Sequence, residues 1–231
     1  MKHFFTFLCL MVIIPLSVSA QTIINVPSDI APSTGNLNNA IQAHINDLSN
    51  YIFMLEPYGY YVLSGGIIIP LNQTLRISAP DPGTTQLTSP PQILWTSDNA
   101  VTKDFMFQCF GHLNMKNVWV RYATDGGVQT GSQIRFWGDT LGTAQVYGTF
   151  ENVIFDYSPA PNSGAGGSIT VTANHFVGNF KNCYWKNCID THLRYYGRAV
   201  SFPYQSTKWH IDSLLFENCT FANMGYVLMH E

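Results

Sequence analysis

The side chains best equipped for chemistry lie in three stretches of similar length, residues 121–132, 156–167 and 186–198. The third is the richest. Asp190, His192 and Arg194 alternate there, and alternate residues of an extended strand share one face. A carboxylate, an imidazole and a guanidinium would then stand side by side, with Arg198 close behind. Arg194 or Arg198 could act as a base or as a clamp on an anionic group. Asp125, Asp156 and Asp190 are the oxygen donors that could hold a calcium ion, although such a site wants roughly six to eight oxygens and these are sparse. Tyr122, Asp125, Asp156, Tyr157, Tyr195 and Tyr196 offer rings to stack on sugars and carboxylates to bind hydroxyls. The competing expectation is plainer: turn-forming aspartates, solvated arginines and a surface strand with no reaction attached. His112, His175 and His210 lack the close pairing of a zinc site and read as strand starts.

These stretches are held in place by a repeat. Four hexamers align: Met115-Lys-Asn-Val-Trp-Val120, Phe150-Glu-Asn-Val-Ile-Phe155, Phe180-Lys-Asn-Cys-Tyr-Trp185 and Phe216-Glu-Asn-Cys-Thr-Phe221. Asn117, Asn152, Asn182 and Asn218 recur at separations of 35, 30 and 36 residues, a period that signals stacked supersecondary units. The fourth and sixth positions are apolar or cysteine and share one strand face. The asparagine between them marks a bend, because Asn tolerates left-handed backbone and can bond its neighbours in a stack. The second position reads Lys116, Glu151, Lys181, Glu217, so strands stacked in register about 4.8 Å apart put each charge beside its opposite.

Further strands recur with the hexamers. Ile134, Ile169 and Val200 follow the asparagines by 17, 17 and 18 residues. Short segments Gln145–Tyr147, His175–Val177 and His210–Ile211 precede the next hexamer. Each coil thus has about three short strands, the plan of an all-β parallel β-helix, a solenoid in which each strand pairs with its equivalent one coil away. Residues 37–48 carry apolar side chains at 37, 41, 45 and 48, the spacing of a helix that could cap the first coil. Coils are expected from about residue 51, where Tyr51–Leu63, Gly66–Ile69 and Thr74–Ile77 read as three strands of an opening coil. Cys183 and Cys219 share one inward position and are expected to be small buried thiols, since stacking rarely provides bridge geometry; the disulfide state of Cys109 and Cys188 stays open. Asn72-Gln-Thr and Asn218-Cys-Thr match a glycosylation sequon.

The order of helix, Leu55-Glu-Pro-x-Gly-x-Tyr61, Ile67-Ile-Ile-Pro70, Leu75-Arg-Ile77 and repeated hexamers resembles the pectate-lyase-like right-handed parallel β-helix superfamily over about residues 35–231. The resemblance implies a fold; it does not fix a reaction, because that fold hosts lyases, hydrolases, esterases, epimerases and adhesins. The Asp-rich cluster of pectate lyases, their Arg-Pro base motif, the Asp-Asp pair of polygalacturonases and the aspartate pattern of pectin methylesterases are not found in this sequence. No cofactor is called for, calcium being the weak candidate above.

Bulk properties bound the rest. Met1-Lys-His is basic, Phe4 to Val18 is almost wholly apolar and Val18-Ser-Ala20 is small, so residues 1–20 are expected to be a signal peptide cleaved before Gln21, leaving a β-helix domain over 21–231. The alternative is an uncleaved anchor, but the apolar run is shorter than the roughly 20 residues a bilayer needs. No membrane span is expected after cleavage, and the short leader looks bacterial. Charged residues are only 11% and net charge is −3, which speaks against a nucleic-acid partner, while 46% hydrophobic content speaks against disorder. The expected protein is secreted or cell-surface and binds or processes an extracellular polysaccharide along a loop-lined groove. The alternative is a non-enzymatic adhesion scaffold in which the β-helix is a stiff spacer. The stop at Glu231, partway through a coil, leads to the expectation of a fragment with further coils beyond it, the alternative being a natural end covered by a partner.

Overall fold

The computed structural model describes residues 20–81, 89–96, 105–123, 132–138, 143–156, 167–188, 198–202 and 210–230. Among them strand is the main regular structure, with a single α-helix. Strand β1 (Thr22–Val26) comes first, then helix α1 (Asn36–Ala43) and a short 3-10 turn, Leu48–Asn50. The strands then run β2 (Tyr51–Leu55), β3 (Tyr60–Val62), β4 (Ile67–Ile69), β5 (Thr74–Ser78), β6 (Gln92–Thr96), β7 (Phe105–Cys109), β8 (His112–Lys116), β9 (Trp119–Ala123) and β10 (Ser132–Phe136). They continue as β11 (Val146–Glu151), β12 (Ile154–Asp156), β13 (Gly167–Val171), β14 (His175–Lys181), β15 (Tyr184–Lys186), β16 (Arg198–Phe202), β17 (His210–Glu217), β18 (Thr220–Ala222) and β19 (Tyr226–His230).

These strands form three parallel sheets, visited in turn. Sheet A is β1-β2-β5-β8-β11-β14-β17, sheet B is β3-β6-β9-β12-β15-β18 and sheet C is β4-β7-β10-β13-β16-β19. One circuit from A through B to C is one coil, an arrangement compatible with a parallel β-helix. Every hexamer spans a corner. Its first two residues end a sheet A strand, its asparagine makes the bend and its last two residues open a sheet B strand.

Register is set by the columns that the repeat predicts. Phe150 pairs with Met115 below and Phe180 above, and Phe180 with Phe216. The rings stack: Phe150 on Phe180 at 5.1 Å and 3°, Phe180 on Phe216 at 4.9 Å and 10°. A second pile runs Phe155, Trp185, Phe221 at 4.8 and 5.0 Å. These spacings equal the strand repeat, so ring stacking and backbone pairing reinforce one another, each contact contributing about 0.5–1.5 kcal/mol beyond burial. Space for the rings comes from Gly148 and Gly178, paired on the inward face of sheet A. A Cβ on Gly178 would lie 2.8 Å from both Leu214 and Phe176 and 3.0 Å from Phe180.

The bend asparagines are left-handed, with φ of 60, 54, 53 and 52° at Asn117, Asn152, Asn182 and Asn218. Their amides form a ladder. Asn182 Nδ2 donates to Asn152 Oδ1 at 3.1 Å, and Asn152 Nδ2 to Asn117 Oδ1 at 2.9 Å. Asn117 Nδ2 then donates to the Ala79 carbonyl and to the Asp81 carboxylate at 2.8 Å. That contact, helped by Lys116, holds the Asp81 carboxyl below its ordinary pKa. The charge column behaves as expected: Lys116 reaches Glu151 at 3.5 Å and Lys181 reaches Glu217 at 3.4 Å.

Three differences from the sequence expectations have physical causes. The helix stops at Ala43 instead of reaching residue 48, because His44 leaves helical angles and turn-forming Asn46 and Asp47 follow. Residues 51–63 are two strands, not one: Pro57 and a left-handed Tyr58 (φ 61°) break them, and Gly59 packs too close to the Tyr61 ring for a Cβ. Thr74–Ser78 therefore opens the following coil. Coils also begin before residue 51, since β1 pairs with β2 in sheet A. The helix start is tied to β3 by Asp29, whose carboxylate accepts from the backbone N–H of Gly35, Asn36 and Val62.

Candidate functional site

Alternation fixes what sheet B shows outward. In the hexamer the sixth position points in, so the fifth position and the residue after the hexamer point out. Pairing then stacks two outer columns. One is Tyr60, Gln92, Trp119, Ile154, Tyr184 and Thr220; the other is Val62, Leu94, Arg121, Asp156, Lys186 and Ala222. The first carries three aromatic rings and the second three consecutive charges.

Those charges form one cluster. Asp156 Oδ2 lies 3.5 Å from Lys186 Nζ and 3.8 Å from Arg121 Nε, and its Oδ1 accepts from Asn187 Nδ2 at 2.8 Å. Asp156 is only 12% exposed in its side chain, against 44% for Arg121 and 26% for Lys186. The cations are therefore the accessible part. Both also face Trp119, with Lys186 Nζ 4.1 Å and Arg121 Cζ 5.5 Å from the ring centre, within cation–π range. The patch offers an aromatic surface rimmed by N–H donors, with net charge +1 from two cations and one carboxylate.

The first residues of β10, β13 and β16 form a buried polar layer. Gln133 donates to the carbonyls of Val120 and Asp156, and accepts from Ser168 Oγ at 2.6 Å. This one amide ties β10 to β9 and β12. Ser132 and Thr170 share a short hydroxyl contact. Arg198 is 1% exposed, and its Nη1 donates to Ser201 Oγ at 3.2 Å.

The sequence-proposed residues divide accordingly. Asp156 stands in the cluster, with both oxygens engaged by Lys186, Arg121 and Asn187. Tyr122 is 5% exposed, because it shares the inward parity of Val120, and so belongs to the core and not to a groove. Arg198 is a buried strand residue, not a surface arginine. Asp125, Tyr157, Asp190, His192, Arg194, Tyr195 and Tyr196 lie outside the described residues. Among the described residues no three His, Cys, Asp or Glu side chains gather as metal ligands. His112 and His175 do start strands; His175 Nδ1 meets Asp212 at 3.1 Å. Cys183 and Cys219 are free thiols on adjacent coils, and burial pushes the Cys183 thiol up to about 12.

Sequence reasoning missed Trp119, Tyr184 and Lys186, although the hexamer alternation already marked them as outward. It also missed a second ladder: Asn223 Nδ2 donates to Asn187 Oδ1 at 3.0 Å, and Asn187 to Asp156, with φ of 54 and 58° at the two asparagines.

Among the described residues no helix is long and apolar enough to cross a membrane. In comparisons with known proteins, the chain matches no family model, no curated protein and no solved structure.

Proposed function

We propose that this chain is a secreted or cell-surface protein, a right-handed parallel β-helix of the pectate-lyase-like kind whose first coil is capped by α1, and that it binds or processes an extracellular polysaccharide. The observation that carries the reading is the outer face of sheet B. Trp119, Arg121 and Lys186 set a ring and two donors side by side, at the root of the segments running to sheet C. Rings bind the apolar faces of sugars, while guanidinium and ammonium groups bind hydroxyls and carboxylates. Handedness, cap and export rest on the sequence resemblance and on the apolar leader before Gln21.

The reading is tested by screening the exported product against immobilised neutral and acidic polysaccharides, with and without calcium, while following product release and the ultraviolet absorbance of unsaturated ends. Retention on at least one polymer supports the proposal, and product formation would add catalysis to it. No retention and no product across the panel overturns it. A stiff adhesion scaffold is the second reading, favoured by the polar ladders and by the locked state of Asp156; retention without product, lost when Trp119 is replaced, separates a binding module from a mere spacer.

A further inference from the structure

The aromatic residues of sheet B do not occur on every coil. In the outer column Tyr60, Gln92, Trp119, Ile154 and Tyr184 pair in succession, so rings stand on alternate coils with a glutamine and an isoleucine between them. Coils repeat at about 4.8 Å, which sets the ring positions about 10 Å apart along the axis, three in a row. Tyr60 is 52% exposed, and Trp119 and Tyr184 are both partly exposed.

The neighbouring column has the same step. Arg121 is on the coil of Trp119 and Lys186 on that of Tyr184, with Asp156 between them. A ring with a cationic residue in the next column thus occurs on two coils, two steps apart, while the coil of Tyr60 carries Val62 there. A ligand that matches this pattern presents an identical face at the same interval. In an extended β-1,4-linked glycan each sugar advances by close to one coil height and is turned over relative to the last, so every second sugar shows the same face. A chain twisting by a third of a turn per sugar shows it only at every third.

We propose that the outer face of sheet B is a linear binding site for an extended, two-fold, β-1,4-linked hexose or N-acetylhexosamine chain. The chain lies along the solenoid axis, with alternate sugars on Tyr60, Trp119 and Tyr184. This rests on the polysaccharide reading above and goes beyond it in naming linkage, direction and contact residues. Three sugars suffice to cover two rings and five to cover all three. Arg121 and Lys186, whose cationic groups both lie within cation–π range of Trp119, donate to hydroxyls beside the second ring.

Calorimetric titration with β-1,4-linked gluco-, manno- and N-acetylglucosamine oligosaccharides of two to six sugars tests it, with α-1,4-linked galacturonan oligosaccharides of equal length as comparison. Binding of at least one β-linked series is expected to strengthen from two to three sugars and again from four to five. Trp119→Ala should weaken it about tenfold and Trp119→Phe much less, the loss of one stacked ring being about 1.4 kcal/mol. Tyr60→Ala, at an exposed position, should weaken only ligands of five sugars or more. A preference for the α-linked chains, or β-glycan binding indifferent to all three substitutions, overturns the inference while leaving polysaccharide binding intact. Failure to bind any glycan, including the polymers, overturns both.

Discussion

Asn117 and Asn152, 35 residues apart in the chain, are joined by a 2.9 Å hydrogen bond in which the amide of Asn152 donates to the side-chain carbonyl of Asn117. The backbone at the same bend runs the other way: Asn117 N–H donates to the Glu151 carbonyl at 3.0 Å. Each corner is therefore fastened twice, once from each side.

Replacing Asn152 should expose both fastenings. Asn152→Gly keeps the left-handed angle and loses the amide, leaving the Asn117 oxygen and the Asn182 donor without their mate. A loss of about 1–3 kcal/mol is expected in urea unfolding. Asn152→Ala should cost about 1 kcal/mol more, from the strain of φ 54°. Equal stability of the two variants would mean that the angle is not held.

Gly178 should tolerate no methyl group. Alanine suits a strand better than glycine, so propensity alone predicts a gain. The Cβ would instead press on Leu214 and Phe176 at 2.8 Å, and Gly178→Ala is expected to lower stability by about 1–3 kcal/mol. A stabilised variant would show that the ring columns are looser than described.

The charge column predicts a salt-sensitive exchange. Lys181→Glu breaks the contact to Glu217 and sets three carboxylates in register with Glu151. Both members of the pair are about half exposed, so the cost should be only about 0.2–1 kcal/mol and should shrink in high salt. Adding Glu217→Lys should restore the part that comes from the Glu217 contact, while the repulsion from Glu151 stays. A cost that salt does not reduce argues for packing instead of charge.

His112 gives stability a pH dependence. Burial, with the nearby Arg76 charge, lowers its pKa below 6.5, and its Nδ1 accepts from the Tyr147 N–H at 3.1 Å, which requires a bare nitrogen. A depressed folded-state value means that the contribution is complete above the unfolded value and disappears as pH falls through the folded one. Unfolding free energy should therefore decline on going from about pH 7 to about pH 5, less so in His112→Gln. Identical slopes for the two proteins would count against this.

The thiols should differ in reactivity. Cys109, Cys183 and Cys188 are buried and Cys219 only partly so. A thiol-specific reagent should modify Cys219 first, and the others only on unfolding. Early labelling of Cys183 would contradict its burial.

How much of this was legible depended on whether a signal repeated. Asn117 to Asn218 sit in matched hexamers, so sequence spacing alone predicts their column. The ladder through Asn187 and Asn223 was hidden because its third member is an aspartate, Asp156. Strand β1 has no periodic neighbour, since α1 separates it from β2. Tyr122 follows Arg121 and looks like a loop residue, but β9 extends to Ala123 and strand parity turns the ring inward. Arg198 opens β16, where it is buried and bonded to Ser201, and a charged residue at a strand start gives no sign of that in sequence. The face with Trp119 was available from alternation within the hexamer, yet residues rich in charge drew the reading toward the longer connecting segments.

The two amide ladders have a sense as well as a position. Each begins on a carboxylate, Asp81 for one and Asp156 for the other, and every donor in both points back toward the amino end. Growth of such a stack is vectorial. A finished turn offers a bare oxygen as template for the turn to come, whereas the incoming asparagine has nothing to grip until its predecessor is seated. Strand-by-strand accretion from the amino end, matching the direction in which a nascent chain emerges, is what this wiring favours.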